Sequence, residues 1–178
     1  MGNSCSLRRG SVRWLTATAL FMGMNIILSL SIFSIPVPGG HLYFNDAVID
    51  TAAILLDPVS AFVVGGIGSF LGDFFFYPAP MFVSLVTHGL QAVAVSWIAH
   101  HFLRGKPVFS SSVAVAAGAV IMVLGYTLGR AYGYSTPEYA MLKLPFQILQ
   151  AGFGATVSIL LLYPMRIRFL FSRVLLSH

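Results

Sequence analysis

The sequence predicts an all-α integral membrane protein with six transmembrane helices and both termini in the cytoplasm. Of its 178 residues, 57% are hydrophobic and only 8% are charged, whereas a soluble domain carries about 25% charged residues. Apolar runs of membrane-crossing length, about 20 residues, recur along the chain. Most basic residues lie in clusters between those runs. We therefore treat residues 1–178 as a single multi-pass membrane domain, and the net charge of +5 as a topology signal and not a nucleic-acid patch.

Four segments are long enough to cross directly. The predicted helices cover about residues 14–35, 81–103, 108–130 and 145–164. The remaining helices follow from the positions of the basic residues.

Eight of the ten basic residues form three clusters, and the positive-inside rule places all three in the cytoplasm. They are Arg8, Arg9 and Arg13; Arg104 with Lys106; and Arg166, Arg168 and Arg173. An even number of crossings must separate one cluster from the next. Between Arg13 and Arg104 lie the helices over 14–35 and 81–103, so the stretch 42–76 between them must itself cross twice. Asp57-Pro58 is the expected turn, because proline disfavours helix at the residue before it and is favoured at the start of a new helix. This predicts helices over about 42–56 and 58–76, the first of them short and shielded by protein.

The last outer loop predicts a short interfacial helix. Ser135 and Glu138 form a capping-box pattern around Pro137, and Pro145 is expected to break the helix that follows. We therefore expect a helix over about residues 137–143, separate from the last crossing helix.

Four of the five acidic residues lie within residues 43–78. Asp57 is predicted to cap the helix that begins at Pro58. Asp46 and the neighbouring Asn45 either cap the second helix or contact a ligand, and Asp50 bonds either a neighbouring helix or a ligand. Asp73 ends a glycine-rich helix.

Small residues in the first and third helices favour close helix packing. Gly68 and Gly72 have the small-xxx-small spacing that lets helix backbones approach closely. A nucleotide-binding loop requires Lys-Ser/Thr after its glycines, and no such pair follows these glycines. Any ATP hydrolysis must therefore occur in another subunit, and no cofactor or metal is predicted. Ala19 and Gly23 form a similar pair that packs either within the bundle or against a partner.

Polar residues in the outer half of the membrane predict a cavity for a small polar molecule. His88 and Gln91 share one helix face, and a stripe at helical spacing descends the last segment. Tyrosines supply aromatic contact, with Tyr132 as a further candidate. The predicted substrate-binding residues are Tyr43, Asn45, Tyr77, His88, Gln91, Tyr139, Lys143, Gln147 and Gln150.

The chain resembles the substrate-binding S component of energy-coupling factor (ECF) vitamin transporters, in particular the group with riboflavin-type, hydroxymethylpyrimidine and pyridoxine S components. The similarity covers about residues 14–165 and is most specific in "YFNDAVIDTAAILLDPVSAFVVGGIGSFLGDFF"; it continues in "VTHGLQAVAVSWIA" and "LPFQILQAGFGATVSILLLYP". Here an Asn-Asp start, an Asp-Pro turn and a glycine-rich helix ending in Asp follow the family pattern.

The resemblance implies a six-helix subunit that captures a vitamin or its precursor from outside. It joins a transmembrane T component and two ATPases, which drive release by toppling it in the membrane. The family contacts the T component through an Ala-xxx-Ala pattern, which corresponds to Ala19 and Gly23 here. Its ligand site, formed by the first outer loop and helices 4 to 6, maps onto residues 38–45, His88, Gln91 and the Gln147–Gln150 pair. The family more often has Lys or another residue at the position of His88.

The amide-rich, tyrosine-lined pocket favours pyridoxine or hydroxymethylpyrimidine as the ligand, with riboflavin as the alternative. A stand-alone proton-coupled carrier is a second alternative, because intramembrane Asp and His can relay protons. An intramembrane hydrolase is disfavoured, since Ser69 lacks the serine-glycine setting of rhomboid-type proteases.

Overall fold

The computed structural model describes residues 10–30, 33–38, 40–102 and 105–176. These residues form seven helices and one hairpin of two short antiparallel strands. In chain order they are α1 (Val12–Leu28), β1 (Ile35–Val37), β2 (Gly40–Leu42), α2 (Asn45–Leu55), α3 (Pro58–Phe76), α4 (Met81–His101), α5 (Pro107–Tyr134), α6 (Pro137–Leu162) and α7 (Ile167–Leu176). Arg8, Arg9 and Arg104 lie outside the described residues.

The first predicted helix is too long, because α1 ends at Leu28 and not near residue 35. Ile35, the last residue of the predicted helix, instead begins β1 and pairs with Leu42 of β2. Pro36 favours extended backbone at Ile35, since proline disfavours helix at the residue before it. Gly40 has a φ of +144°, a backbone conformation that favours glycine, and so suits the hairpin.

The predicted break at Pro145 is also wrong. Residues from Pro137 to Leu162 form one helix with Pro145 inside it, so the separate interfacial helix is the first part of α6. Thr136 caps this helix in place of Ser135, accepting a bond from the backbone N–H of Tyr139. Proline is tolerated inside membrane helices because neighbouring groups satisfy the freed backbone. The short α7 was not predicted.

Helix α2 lies at the centre of the bundle. Ten of its eleven residues are buried, and a helix of that length spans about 16 Å, roughly half of the hydrocarbon thickness. Gly154 allows α6 to touch its beginning, because an added Cβ would lie 2.5 Å from Asp46 Cβ. The predicted shielding of this short helix by other segments is confirmed.

Contacts at one end of the bundle bring together the segments that carry the described residues of the three basic clusters. Trp14 Nε1 donates to Asp57 Oδ1 at 2.7 Å, and Tyr163 Oη donates to the carbonyl of Pro107 at 2.7 Å. The start of α1, the α2–α3 turn, the α4–α5 connection and the end of α6 therefore meet there. The predicted cap is confirmed, because Asp57 Oδ2 accepts from the backbone N–H of Val59 at 3.1 Å.

The outer surface of the bundle is apolar. Leucine side chains on three different helices, Leu90, Leu124 and Leu149, are 57%, 57% and 63% exposed. Among the described residues, α3, α4, α5 and α6 are long and apolar enough to cross a membrane, and α1 is a shorter apolar helix. A surface of this kind is suited to lipid and not to water.

Candidate substrate-binding site

A cavity opens at the other end of the bundle, beside the β1–β2 hairpin. It holds about 590 Å³ of empty space, its open mouth included. Seven of the nine predicted substrate-binding residues line it: Tyr43, Asn45, Tyr77, His88, Lys143, Gln147 and Gln150.

Gln91 lies behind the cavity wall and joins three other buried side chains. Its Nε2 donates to Asp50 Oδ1 at 3.1 Å and to Asp46 Oδ1 at 3.3 Å. Its Oε1 lies 2.8 Å from His88 Nδ1. All four side chains are at most 2% exposed. Asp50 therefore bonds a neighbouring helix, one of its two predicted roles.

The same network sets the orientation of His88. Because Gln91 uses Nε2 as a donor to the two aspartates, its Oε1 must accept, and His88 Nδ1 must donate. The other ring nitrogen, Nε2, then has no protein partner among the described residues. Tyr126 packs edge-on against the imidazole at 5.2 Å between ring centroids. The cavity thus receives one oriented imidazole nitrogen.

Asp46 does not cap α2. Phe44 occupies the capping position without a side-chain bond, while Asp46 Oδ2 accepts from Gln150 Nε2 at 2.7 Å. Gln150 Oε1 accepts from the backbone N–H of Tyr43 at 3.1 Å. Gln150 therefore ties the segment after the hairpin to the start of α2, and both ends of its amide are occupied by protein groups.

Lys143 holds the hairpin against α6. Its Nζ donates to the backbone carbonyl of His41, and the side chain is only 3% exposed. Beside it, burial and, secondly, the negative charge of Asp73 raise the pKa of Tyr43 to about 12. The Tyr43 phenol therefore stays protonated at neutral pH and can donate to a ligand.

Two amide oxygens in the wall lack a protein donor. Gln147 Nε2 donates to the carbonyl of Val123 at 3.0 Å, and its Oε1 has no donor within the described ranges. Asn45 Oδ1 is buried without a hydrogen-bond partner there. A buried oxygen such as Asn45 Oδ1 is normally satisfied, so a ligand N–H or O–H group is a suitable donor to it.

Two of the predicted aromatic residues point away from the cavity. Tyr139 is 53% exposed and Tyr132 is 82% exposed, and neither lines the cavity. Of the four residues in the polar stripe on α6, Tyr139 is therefore exposed, whereas Lys143, Gln147 and Gln150 are buried in the cavity wall. Ligand contact by Tyr139 stays a prediction without support from this geometry.

The sequence analysis missed several lining residues. Arg130 and Tyr134 come from the end of α5, and Ser29 comes from the end of α1. One signal could have found Arg130: it and Lys143 are the two basic residues outside the three basic clusters. Ser29 gave no signal, since serine is common in helix packing.

Comparison with known proteins identifies the family. Residues 9–167 match the sequence profile of the family described as "ECF-type riboflavin transporter, S component". The chain belongs to this S-component family. It is also similar to a protein of Pyrococcus woesei described as "Uncharacterized protein in gap 3'region", with 30% identity over 135 residues, 74% of this chain and 88% of that protein. As a member of the family, this S component is a vitamin-capture subunit of a membrane transporter and not an enzyme, and it works with a T component and ATPases.

Proposed function

We propose that this S component captures an aromatic vitamin or vitamin precursor from outside a prokaryotic cell, and that a T component and two ATPases drive its release inside. One observation carries the proposal: a polar cavity opens at the end opposite the described residues of the three basic clusters. Its wall presents Asn45 Oδ1, which is buried without a partner, together with His88 Nε2 and Gln147 Oε1, for which the described part of the chain supplies no hydrogen bond. Polar groups of this kind suit the N–H and O–H groups of a heterocycle.

Riboflavin is the first ligand to test. The family description names it, and the comparisons give pyridoxine or hydroxymethylpyrimidine, which the sequence analysis preferred, no advantage over it. All three carry an aromatic ring that Tyr43 and Tyr126 can contact. The two smaller ligands therefore belong in the same binding assay as competitors.

The proposed topology has six crossings, α1 to α6, within one membrane domain and with both termini in the cytoplasm. The described residues of the basic clusters lie at one end of the bundle and support this topology through the positive-inside rule. Although α2 is short, it supplies the crossing that makes the number of crossings even. The test replaces Cys5 by serine and then introduces single cysteines at Gly105 and at Ala79. A membrane-impermeant thiol reagent should label the Ala79→Cys variant from outside and spare the Gly105→Cys variant, whereas the opposite labelling would invert the topology.

The proposed T-component contact uses the outward face of α1. Ala19 is exposed and nothing lies within 4 Å of an added Cβ at Gly23. A flat surface of small residues permits close approach of a partner helix in a membrane. Toppling would pivot the subunit while that contact is kept.

A transport assay tests this function. Proteoliposomes that contain the S component, its T component and ATPases should take up labelled riboflavin only when ATP is supplied on the cytoplasmic face. The isolated S component should bind ligand without moving it across the bilayer. Uptake by the isolated chain that an uncoupler abolishes would instead support the proton-coupled carrier.

A further inference from the structure

One wall of the cavity is formed by polar residues that neither the sequence analysis nor the comparisons assign to substrate. Ser29 lies at the end of α1, and Ser69 and Asp73 lie on α3. Asn45, already a predicted binding residue, adjoins them at the start of α2. We name these four residues the α1–α3 wall.

Glycines of α3 bring this wall together. Cβ atoms added at Gly68 and Gly72 would lie 2.8 Å from Asn25 Nδ2 and 2.8 Å from Ser29 Oγ, respectively. Asn25 Nδ2 also donates to the carbonyl of Val64 at 2.7 Å, within a π-helical turn of α3. The close approach therefore places polar groups of α1 against α3, beside the cavity.

The two serines keep unused hydrogen-bonding capacity. Ser69 Oγ accepts from Asn25 Nδ2 at 3.1 Å, and Ser29 Oγ donates to the carbonyl of Asn25 at 3.0 Å. Among the described residues, the Ser69 hydroxyl proton has no acceptor and the Ser29 oxygen has no donor. The two residues are 2% and 5% exposed, so this capacity is directed at whatever fills the cavity.

Asn45 and Asp73 add further acceptors. Asn45 is 5% exposed, and its buried Oδ1 has no partner in the described chain. Asp73 accepts from Ser84 Oγ through Oδ2, which leaves Oδ1 without a protein donor in the described segments. The α1–α3 wall thus offers three acceptors, the Ser69 hydroxyl as a donor and the amide N–H₂ of Asn45 as a second donor group, and it contains no basic residue.

The cations Arg130 and Lys143 line the cavity from α5 and α6 instead. A chain of hydroxyl groups fits the α1–α3 wall, because every hydroxyl can both donate and accept and the wall presents acceptors beside donors, whereas an anionic group would meet three acceptor oxygens there. We propose that the α1–α3 wall binds the polyhydroxylated chain of the captured ligand, while its ring lies towards α4, α5 and α6. The inference rests on the capture function, and in riboflavin this chain is the ribityl group.

The test compares riboflavin with lumiflavin, which has the same ring system with a methyl group in place of the ribityl chain. Quenching of flavin fluorescence by the purified chain gives both dissociation constants. Ser69→Ala should weaken riboflavin binding by about 3- to 10-fold, the value of one hydrogen bond, and leave lumiflavin binding unchanged. Ser29→Ala should behave alike. The matched control is Ser112→Ala, since Ser112 Oγ bonds only to the carbonyl of Val108 on its own helix.

Three results would overturn the inference and leave vitamin capture standing. The first is that the serine variants lose affinity equally for riboflavin and lumiflavin. The second is that variants with the wild-type melting temperature lose affinity for neither flavin. The third is that the wild-type chain binds both flavins with equal affinity. Binding of pyridoxine or hydroxymethylpyrimidine but of no flavin would also overturn it, since neither carries a polyol chain. If no vitamin binds, the capture function itself fails and the inference fails with it.

Discussion

Replacement of Gln150 by leucine should loosen the cavity without unfolding the bundle. The change removes the donor to Asp46 Oδ2 and the acceptor for the Tyr43 backbone N–H, at 2.7 and 3.1 Å. A hydrogen bond to a charged group contributes about 1.5–3 kcal/mol and a neutral one about 0.5–1.5 kcal/mol, so the two together contribute about 2–4.5 kcal/mol. If this energy organises the bound site, the dissociation constant should rise by roughly 30- to 1,600-fold. Leucine is similar in size to glutamine, so packing within α6 should persist.

The assay is titration of the purified Gln150→Leu variant with the ligand that the wild type binds, with the melting temperature measured in the same preparation. Leu149→Ala is the matched control, because Leu149 is the adjacent residue, 63% exposed, and does not line the cavity. Unchanged affinity in a folded Gln150→Leu variant would refute the assignment of Gln150 to the organisation of the site. A Leu149→Ala variant that loses affinity equally would show that the effect is not specific to Gln150.

Three further substitutions test other parts of the structure. Gly23→Leu should spare ligand binding and reduce co-purification with the T component. Gly152→Leu, whose added Cβ also meets nothing within 4 Å, should affect neither. An intact complex with Gly23→Leu would rule out the outward face of α1 as the T-component contact. Gly118→Ala would place a Cβ 2.5 Å from Val95 Cγ2, so overpacking should cost about 1–3 kcal/mol and lower the melting temperature; an unchanged melting temperature would contradict this packing of α4 on α5. Asp57→Ala should lower the free energy of unfolding by about 1–3 kcal/mol, because α3 loses its cap and Trp14 loses its hydrogen bond. Ligand affinity should stay unchanged, because Asp57 lies at the end of the bundle away from the cavity. A loss of affinity at constant stability would contradict that placement.

The sequence predicted those helices whose boundaries carry a strong local signal. Asp57-Pro58 marked the α2–α3 turn because a capping carboxylate followed by proline begins a helix wherever it stands. Pro145 was misinterpreted by similar local reasoning, because surrounding helices in a membrane protein can hold a proline within a helix. The hairpin was missed since its pairing spans only three residues in each strand, too few for an alternating pattern.

The candidate site was predictable where polar residues are unusual for their surroundings. Gln147 and Gln150 stand out on an apolar helix, and both line the cavity. The roles of individual groups were not predictable, because they depend on contacts between distant residues: Gln91 lies behind the wall, and Gln150 is occupied by Tyr43 and Asp46. Ser29 and Ser69 became candidates only when the structure showed which of their hydrogen bonds were already made.

The most direct test is equilibrium binding of vitamins to the purified chain alone, without partner subunits or ATP. Isothermal titration calorimetry would use riboflavin first, followed by pyridoxine and hydroxymethylpyrimidine. A capture subunit should bind one of them tightly, saturably and with one ligand per chain. Failure of the folded chain to bind any of them, or binding that requires the ATPases and ATP, would contradict capture by this cavity.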